Sequence, residues 1–178
     1  FIGFLDDKYN VNKSIRFIMQ FVLSYLAIHY LLGSYNIELF RDYEKILFSL
    51  LFVYFINTYN FMDGIDLIAI NQALFLSIAL LIYTFMHNTS ISLHSVNYSI
   101  GLIAIIIGFY YYNISPPKLF LGNSGSYFLG FILAIMIFEH IISKSINLYQ
   151  ILILHSVFII DTGYTIILRF VVILTKKN

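Results

Sequence analysis

The chain has 178 residues, 60% hydrophobic and only 11% charged, with ten Lys plus Arg against nine Asp plus Glu and a net charge of +1. A soluble domain carries roughly 25% charged residues, and a mean hydropathy of +0.86 would leave a water-soluble fold with far too much apolar surface. The near-zero charge gives no footing for nucleic acid or an acidic protein partner, and with no cysteine neither a disulfide nor a thiolate metal site can form.

These limits predict an all-α, polytopic transmembrane helical bundle of about six spans plus the end of an earlier one. It forms a single transmembrane domain over residues 1–178. Spanning a bilayer takes roughly 20 apolar residues. Residues 1–5 read as the tail of an earlier span. Because the first residue is Phe, the chain reads as the middle of a longer one. Asp6 and Asp7 close that stub. Adjacent carboxylates at a membrane surface repel unless a cation or a phosphate-bound metal lies between them, although a solvated loop with local ion pairs to Lys8 and Lys13 would also account for them.

Spans are then drawn at about 15–33 and 46–58, the second short for a full crossing. It runs into Asn57-Thr58-Tyr59-Asn60-Phe61-Met62-Asp63-Gly64-Ile65-Asp66. Two amides and two carboxylates recur there every third residue, which brings them near one face of a helical turn or its cap. Capping a helix near Ile65 needs one such residue and leaves the others without a structural task. Polar groups flanking hydrocarbon are costly and usually mark a site.

Further spans follow at about 67–86 and 97–113. Pro116 and Pro117 stop the latter. Gly122 and Gly125 let backbone approach a ligand, and a helix N-terminus near Ser124 favours anions, or is an ordinary Ser-capped turn. The last spans are about 125–142 and 148–175, the second long enough, with Asp161 and Gly163 inside it, to be tilted or broken. Asp161 is an intramembrane acid, a functional candidate or a carboxylate satisfied by a neighbouring helix. The histidines show no ligand spacing.

Alternating spans put Asp6-Asp7, the 57–66 motif, the 114–124 loop and the C-terminus on one face. Seven of the ten Lys and Arg fall on or near that face, which predicts that it is cytoplasmic.

Taken together, Phe4-Leu5-Asp6-Asp7, Asn57-x-x-Asn60-x-x-Asp63-Gly64-x-Asp66 and Phe120-Leu121-Gly122-Asn123-Ser124-Gly125-Ser126 resemble the polyprenyl-phosphate N-acetylhexosamine-1-phosphate transferases. This is glycosyl transferase family 4, which includes the undecaprenyl-phosphate GlcNAc-1-phosphate and phospho-MurNAc-pentapeptide transferases. Its members start peptidoglycan, O-antigen and teichoic acid linkage synthesis. The resemblance implies a bacterial inner-membrane enzyme with a cytoplasmic active face. It would transfer a sugar 1-phosphate, an N-acetylhexosamine phosphate, from a UDP-sugar to undecaprenyl phosphate and release UMP. Magnesium, or manganese in its place, would neutralise the pyrophosphate. A homodimer is an allowed assembly, and nucleic acid has no part.

By the same resemblance Asp6 is the base or lipid-phosphate orienter, and Asp7 its partner near the metal. Asn60, Asp63 and Asp66 hold the nucleotide-sugar, with Asn57 shaping the loop. Phe120 stacks on uracil, and Lys13 contacts phosphate. The metal ligands are Asp7 and position 123, where the family carries Asp and this chain Asn123. Leu67 replaces a usual Gly, and the family's basic, histidine-containing loop does not follow the last span. Asp161-Thr162-Gly163-Tyr164 is closer to the surface-polysaccharide branch than to the muramyl-peptide one, which points to N-acetylglucosamine or a deoxyamino sugar. Two other readings stay open: a secondary transporter using Asp161, and a catalytically impaired relative marked by Asn123.

Overall fold

The computed structural model describes residues 2–37, 40–64, 67–87, 93–114 and 118–175. Among them the chain is a bundle of eight helices: α1 (Ile2–Tyr9), α2 (Lys13–Ser34), α3 (Asp42–Met62), α4 (Ile68–His87), α5 (Leu93–Asn113), α6 (Gly122–Ile142), α7 (Leu148–Leu154) and α8 (Ser156–Thr175). Four of them, α2, α3, α4 and α6, are long and apolar enough to cross a membrane, and the bent pair α7–α8 makes a fifth. The sixth segment drawn from sequence is α5, as long as α3 at 21 residues but polar at both ends. The all-α polytopic architecture holds, with four or five candidate crossings by length and composition among the described residues.

Two boundaries differ from the sequence expectation. The segment drawn at 46–58 is the 21-residue α3. It begins earlier because Asp42 and Glu44 favour a helix N-terminus and Glu44 Oε2 accepts the Arg41 N–H at 2.7 Å. It ends later because Asn57 and Asn60 continue the helix rather than forming a loop. The long last segment breaks at His155, with a bend of 73°, and not at Asp161 or Gly163, which lie within α8. The break frees the Leu154 carbonyl, and Gln72 Nε2 of α4 donates to it at 2.7 Å. A backbone group released inside an apolar bundle needs such a partner.

Helix α6 is the axis of the bundle: 67% of its apolar stretch is buried, against 28–39% for α2, α3 and α4. It packs on α1, α2, α3 and α4. The crossing with α3 is tight at Gly130, where an added Cβ would lie 2.8 Å from the Ile56 Cα. Around it, Tyr59, Ile70, Leu76, Leu80, Leu133 and Phe158 form one enclosed core. Phe138 anchors a second, edge-on to Phe52 with ring centroids 5.6 Å apart. A polar tie crosses the core from Thr84 Oγ1 to His140 Nε2 at 2.9 Å, with His140 Nδ1 against the Met136 carbonyl at 2.8 Å. Large side chains such as Phe85, Ile105, Val157 and Ile160 point outward, the arrangement expected where lipid is the solvent.

Candidate active site at one end of the bundle

Three sequence motifs meet at the end of the bundle where α1 turns into α2, α3 ends and α6 begins. Asp6 and Asp7 are neighbours on α1, so their side chains leave the helix about 100° apart and go to different partners.

Asp7 crosses to the start of α6. Its carboxylate accepts the backbone N–H of Asn123 at 3.0 Å and of Ser124 at 2.9 Å, and the Ser124 hydroxyl at 2.7 Å. The anion that a helix N-terminus attracts is here the protein's own Asp7. Gly122 makes this approach possible. Its φ of +60° suits glycine, and a Cβ there would sit 3.3 Å from Asp7 Oδ2. At Gly3 an added Cβ would collide with the Asn123 carbonyl, so α1 packs directly on the loop. Slight burial pushes the Asp7 carboxyl up, and the hydrogen bonds from Ser124 and Asn123 outweigh it and hold it below the usual carboxylate range.

Asp6 is buried, 3% exposed. It is ion-paired to Arg16 of α2, whose guanidinium also donates to the Tyr127 hydroxyl at 3.0 Å. Tyr127 lies on α6, so this triad joins three helices beneath the Asp7 loop.

Asp63 caps the end of α3. Partial burial and the charge of Asp7 raise its carboxyl to about 6, against a Gly122 backbone hydrogen bond that opposes the shift. Asp7 therefore lies close enough for its charge to act on Asp63. Asn60, one turn earlier, donates from Nδ2 to Asn123 Oδ1 at 2.6 Å and to Ser126 Oγ at 3.0 Å. Asn57 instead faces α2, donating to Gln20 Oε1 at 2.8 Å and to the Val53 carbonyl at 2.7 Å, so it joins two helices rather than shaping a loop. With Lys13, Arg16, Gln20 and Tyr54 it lines a cleft between α2 and α3. Phe120 is 61% exposed on the approach to α6. Asp66 lies outside the described residues. Asp161 is exposed on α8, apart from this cluster.

Several contributors are not apparent from motif spacing. Asn113, at the end of α5, is 4% exposed. It donates to the Leu119 carbonyl at 2.7 Å and accepts from the Leu67 N–H at 3.3 Å, so it holds the turn after α3 against the loop before α6. Arg16, Gln20 and Tyr127 are likewise polar residues on largely apolar helices. Their isolation in such segments is the one signal that could have marked them. Leu67, where the resemblance expects Gly, adopts φ +65°, the left-handed region that glycine occupies without strain.

This geometry defines a multi-pass helical membrane protein with an acidic and amide-rich centre at one end. A sequence profile of glycosyl transferase family 4 matches residues 1–141, and the chain belongs to that family. It is similar to a probable undecaprenyl-phosphate N-acetylglucosaminyl 1-phosphate transferase of Bacillus subtilis, 27% identical over 179 residues, covering 94% of this chain and 49% of that protein. It is also similar to a phospho-N-acetylmuramoyl-pentapeptide-transferase of Dictyoglomus turgidum, 30% identical over 144 residues, 72% of this chain and 45% of the relative. A third is a putative UDP-N-acetylglucosamine–dolichyl-phosphate N-acetylglucosaminephosphotransferase of Sulfolobus acidocaldarius, 29% identical over 139 residues, with 73% and 42% covered. The chain spans about half the length of these relatives.

Proposed function

We propose that the complete protein transfers an N-acetylhexosamine 1-phosphate, N-acetylglucosamine 1-phosphate or a deoxyamino analogue, from a UDP-sugar to undecaprenyl phosphate at the cytoplasmic face of the bacterial inner membrane. The product would start a lipid-linked envelope glycan. The observation that carries this reading is the meeting of Asp7, Asp63 and the α6 N-terminus at one end of the bundle.

In the step proposed, a lipid-phosphate oxygen forms a bond to the sugar-side phosphorus. The bond from that phosphorus to the bridging oxygen breaks, and UMP leaves with the electron pair. A phosphate monoester has a second pKa of about 6 and is largely dianionic at neutral pH, so little proton remains to be removed. Positioning and charge neutralisation then dominate. Of the two roles the resemblance gives Asp6, its burial against Arg16 favours orienting over proton transfer. Arg16 and Lys13 line the polar end of the α2–α3 cleft and Phe17, Leu50 and Val53 its apolar part, a division that suits a phosphate on a hydrocarbon chain. Asn60, Asp63 and Asp66 would hold the nucleotide-sugar, and exposed Phe120 would stack on the uracil ring.

Asp7 and Asp63 are the hard oxygen donors present at this end of the bundle, and the charge of Asp7 that raises the proton affinity of Asp63 would be relieved by a divalent cation. Asp7 and Asp63 would hold magnesium, or manganese in its place, and the ion would supply charge neutralisation at the pyrophosphate.

The test is UMP release by the full-length protein in membranes supplied with UDP-N-acetylglucosamine and undecaprenyl phosphate, with magnesium or with EDTA. Magnesium-dependent release, abolished by Asp63→Ala, is expected. No UMP above background with any UDP-N-acetylhexosamine, while a Bacillus subtilis relative is active in the same assay, would overturn the reading.

A further inference from the structure

Gln20 of α2 carries an amide with one end engaged and the other idle. The residue is 4% exposed, and Asn57 Nδ2 donates to its Oε1 at 2.8 Å. The orientation of that bond is fixed. The same Asn57 nitrogen donates to the Val53 carbonyl at 2.7 Å, and a carbonyl can only accept. The Asn57 group at this contact is therefore its NH₂, and the Gln20 atom facing it is the oxygen. The Gln20 NH₂ is left on the other side of its amide, and among the described residues Nε2 has no hydrogen-bond partner. A buried donor without an acceptor is costly, and in a native fold such a group calls for a partner outside the protein.

We propose that Gln20 is a binding residue for the phosphate of the acceptor lipid, its Nε2 donating to a phosphate oxygen in the α2–α3 cleft. Gln20 borders two cavities. The one between α1, α2 and α6 has Ser124 and Tyr127 as its other polar groups, and both are already engaged, with Asp7 and with Arg16. The α2–α3 cleft is the one that holds cations, Lys13 and Arg16. Lys13, Arg16 and Gln20 follow one another at intervals of three and four residues, which puts them on one face of α2. Gln20 lies about 6 Å further along the helix axis than Arg16, toward the apolar part of the cleft at Phe17, Leu50 and Val53. A phosphate supplies only acceptor oxygens to this row of donors, and a hydrocarbon chain attached to it continues onto the apolar wall. Nε2 is enclosed by protein, so binding includes a small turn of the Gln20 side chain, and the donor gains an acceptor that the fold does not give it.

This inference rests on the acceptor reading proposed above, and its test reads binding rather than turnover. Full-length wild type, Gln20→Glu and Gln20→Met in detergent are titrated with undecaprenyl phosphate, with undecaprenol and with UDP-N-acetylglucosamine, and their unfolding temperatures are taken without ligand. Gln20→Glu keeps an oxygen for Asn57, loses the donor and adds the repulsion of an anion. It should unfold close to wild type yet bind undecaprenyl phosphate about tenfold more weakly or worse. Gln20→Met loses both groups, so it should weaken binding in the same way and also unfold at a lower temperature. Undecaprenol and UDP-N-acetylglucosamine should bind all three proteins alike. If Gln20 served only to hold α2 against α3, affinity would follow the unfolding temperature, so wild-type affinity for undecaprenyl phosphate in Gln20→Glu overturns the proposal. A loss confined to UDP-N-acetylglucosamine overturns it too, by moving the donor to the nucleotide-sugar. In either case wild type still binds the lipid phosphate and the proposed function stands. Failure of wild type itself to bind undecaprenyl phosphate overturns the acceptor reading and this assignment together.

Discussion

The Asn60 side chain donates to Asn123 at 2.6 Å across a sequence separation of 63 residues, and this bond joins the last turn of α3 to the first turn of α6. Asn60 is half-buried, and the same NH₂ also serves Ser126. The Asn60 amide therefore ties the turn that carries Asp63 to the first turn of α6, which receives Asp7.

Asn60→Ala removes that donor from two acceptors at once. Leaving buried polar atoms without partners costs about 1–3 kcal/mol, so the unfolding temperature should fall measurably in detergent. A small misplacement of a reacting centre can cost about 10²-fold in rate, and a loss of UMP release of that order is expected. A variant with normal stability and full turnover would show that the bond positions nothing.

The buried pair of Asp6 and Arg16 predicts an asymmetric mutant cycle. Arg16→Ala leaves the Asp6 carboxylate enclosed and uncompensated, which costs about 3–5 kcal/mol for a buried pair broken on one side. Asp6→Ala should cost less, because the Arg16 side chain is 23% exposed and can turn toward water. The double variant should be more stable than Arg16→Ala alone, since no orphan charge remains. Unfolding of the single and double variants measures all three. Additive losses would mean that the two residues act independently.

Asp63 makes stability depend on pH in a definite direction. Burial and the charge of Asp7 raise its pKa from 3.8 to about 6, so the folded state holds the proton more tightly than the unfolded state. Its contribution to stability is then fully present below the unfolded value and is lost as the pH rises through about 6. In EDTA, the unfolding temperature of wild type relative to Asp63→Asn should decline across that window and level off above it. A difference that stays flat with pH would show that the neighbouring carboxylate has no hold on Asp63.

Much of this was legible in the sequence. Hydropathy announced a membrane bundle, and the co-linear acidic and glycine motifs marked the end where the site forms. What the motifs could not convey was direction. Adjacent Asp6 and Asp7 read as one acidic pair, yet the helical turn between them sends one into the core and the other to the loop. The amides at 57 and 60 read as one repeat, yet Asn57 faces α2 and Asn60 faces α6, because residues three apart lie near each other on a helix without sharing a neighbour. Asn113 and Arg16 were hidden for a different reason. Each acts through a partner far away in sequence, Leu119 apart, and no local pattern encodes a pairing made only when helices pack. The break at His155 was missed because the chain carries no Pro or Gly there. The bend is set by packing and by Gln72, while Gly163, the residue that suggested a break, is accommodated within α8.

Leu67 gives the last prediction, since a departure from the family pattern and a backbone strain fall on the same residue. Its φ of +65° crowds the Cβ against the following carbonyl, at a cost of roughly 1–2 kcal/mol for a residue other than glycine. The conformation is imposed from outside. Asn113 Oδ1 accepts the Leu67 N–H and Leu67 in turn offers its carbonyl to the Asn71 N–H at 2.8 Å, at the start of α4. Leu67→Gly should relieve the strain while keeping both bonds, because neither involves the side chain. Glycine also makes the unfolded chain more flexible, which opposes the gain, so a net stabilisation of about 1 kcal/mol or less is expected. Asn113→Ala should remove much of that benefit, because without the Asn113 acceptor the turn can leave the left-handed region. Unfolding temperatures of wild type, Leu67→Gly, Asn113→Ala and the double variant test the coupling. Equal gains from Leu67→Gly with and without Asn113 would show that the strain has another source.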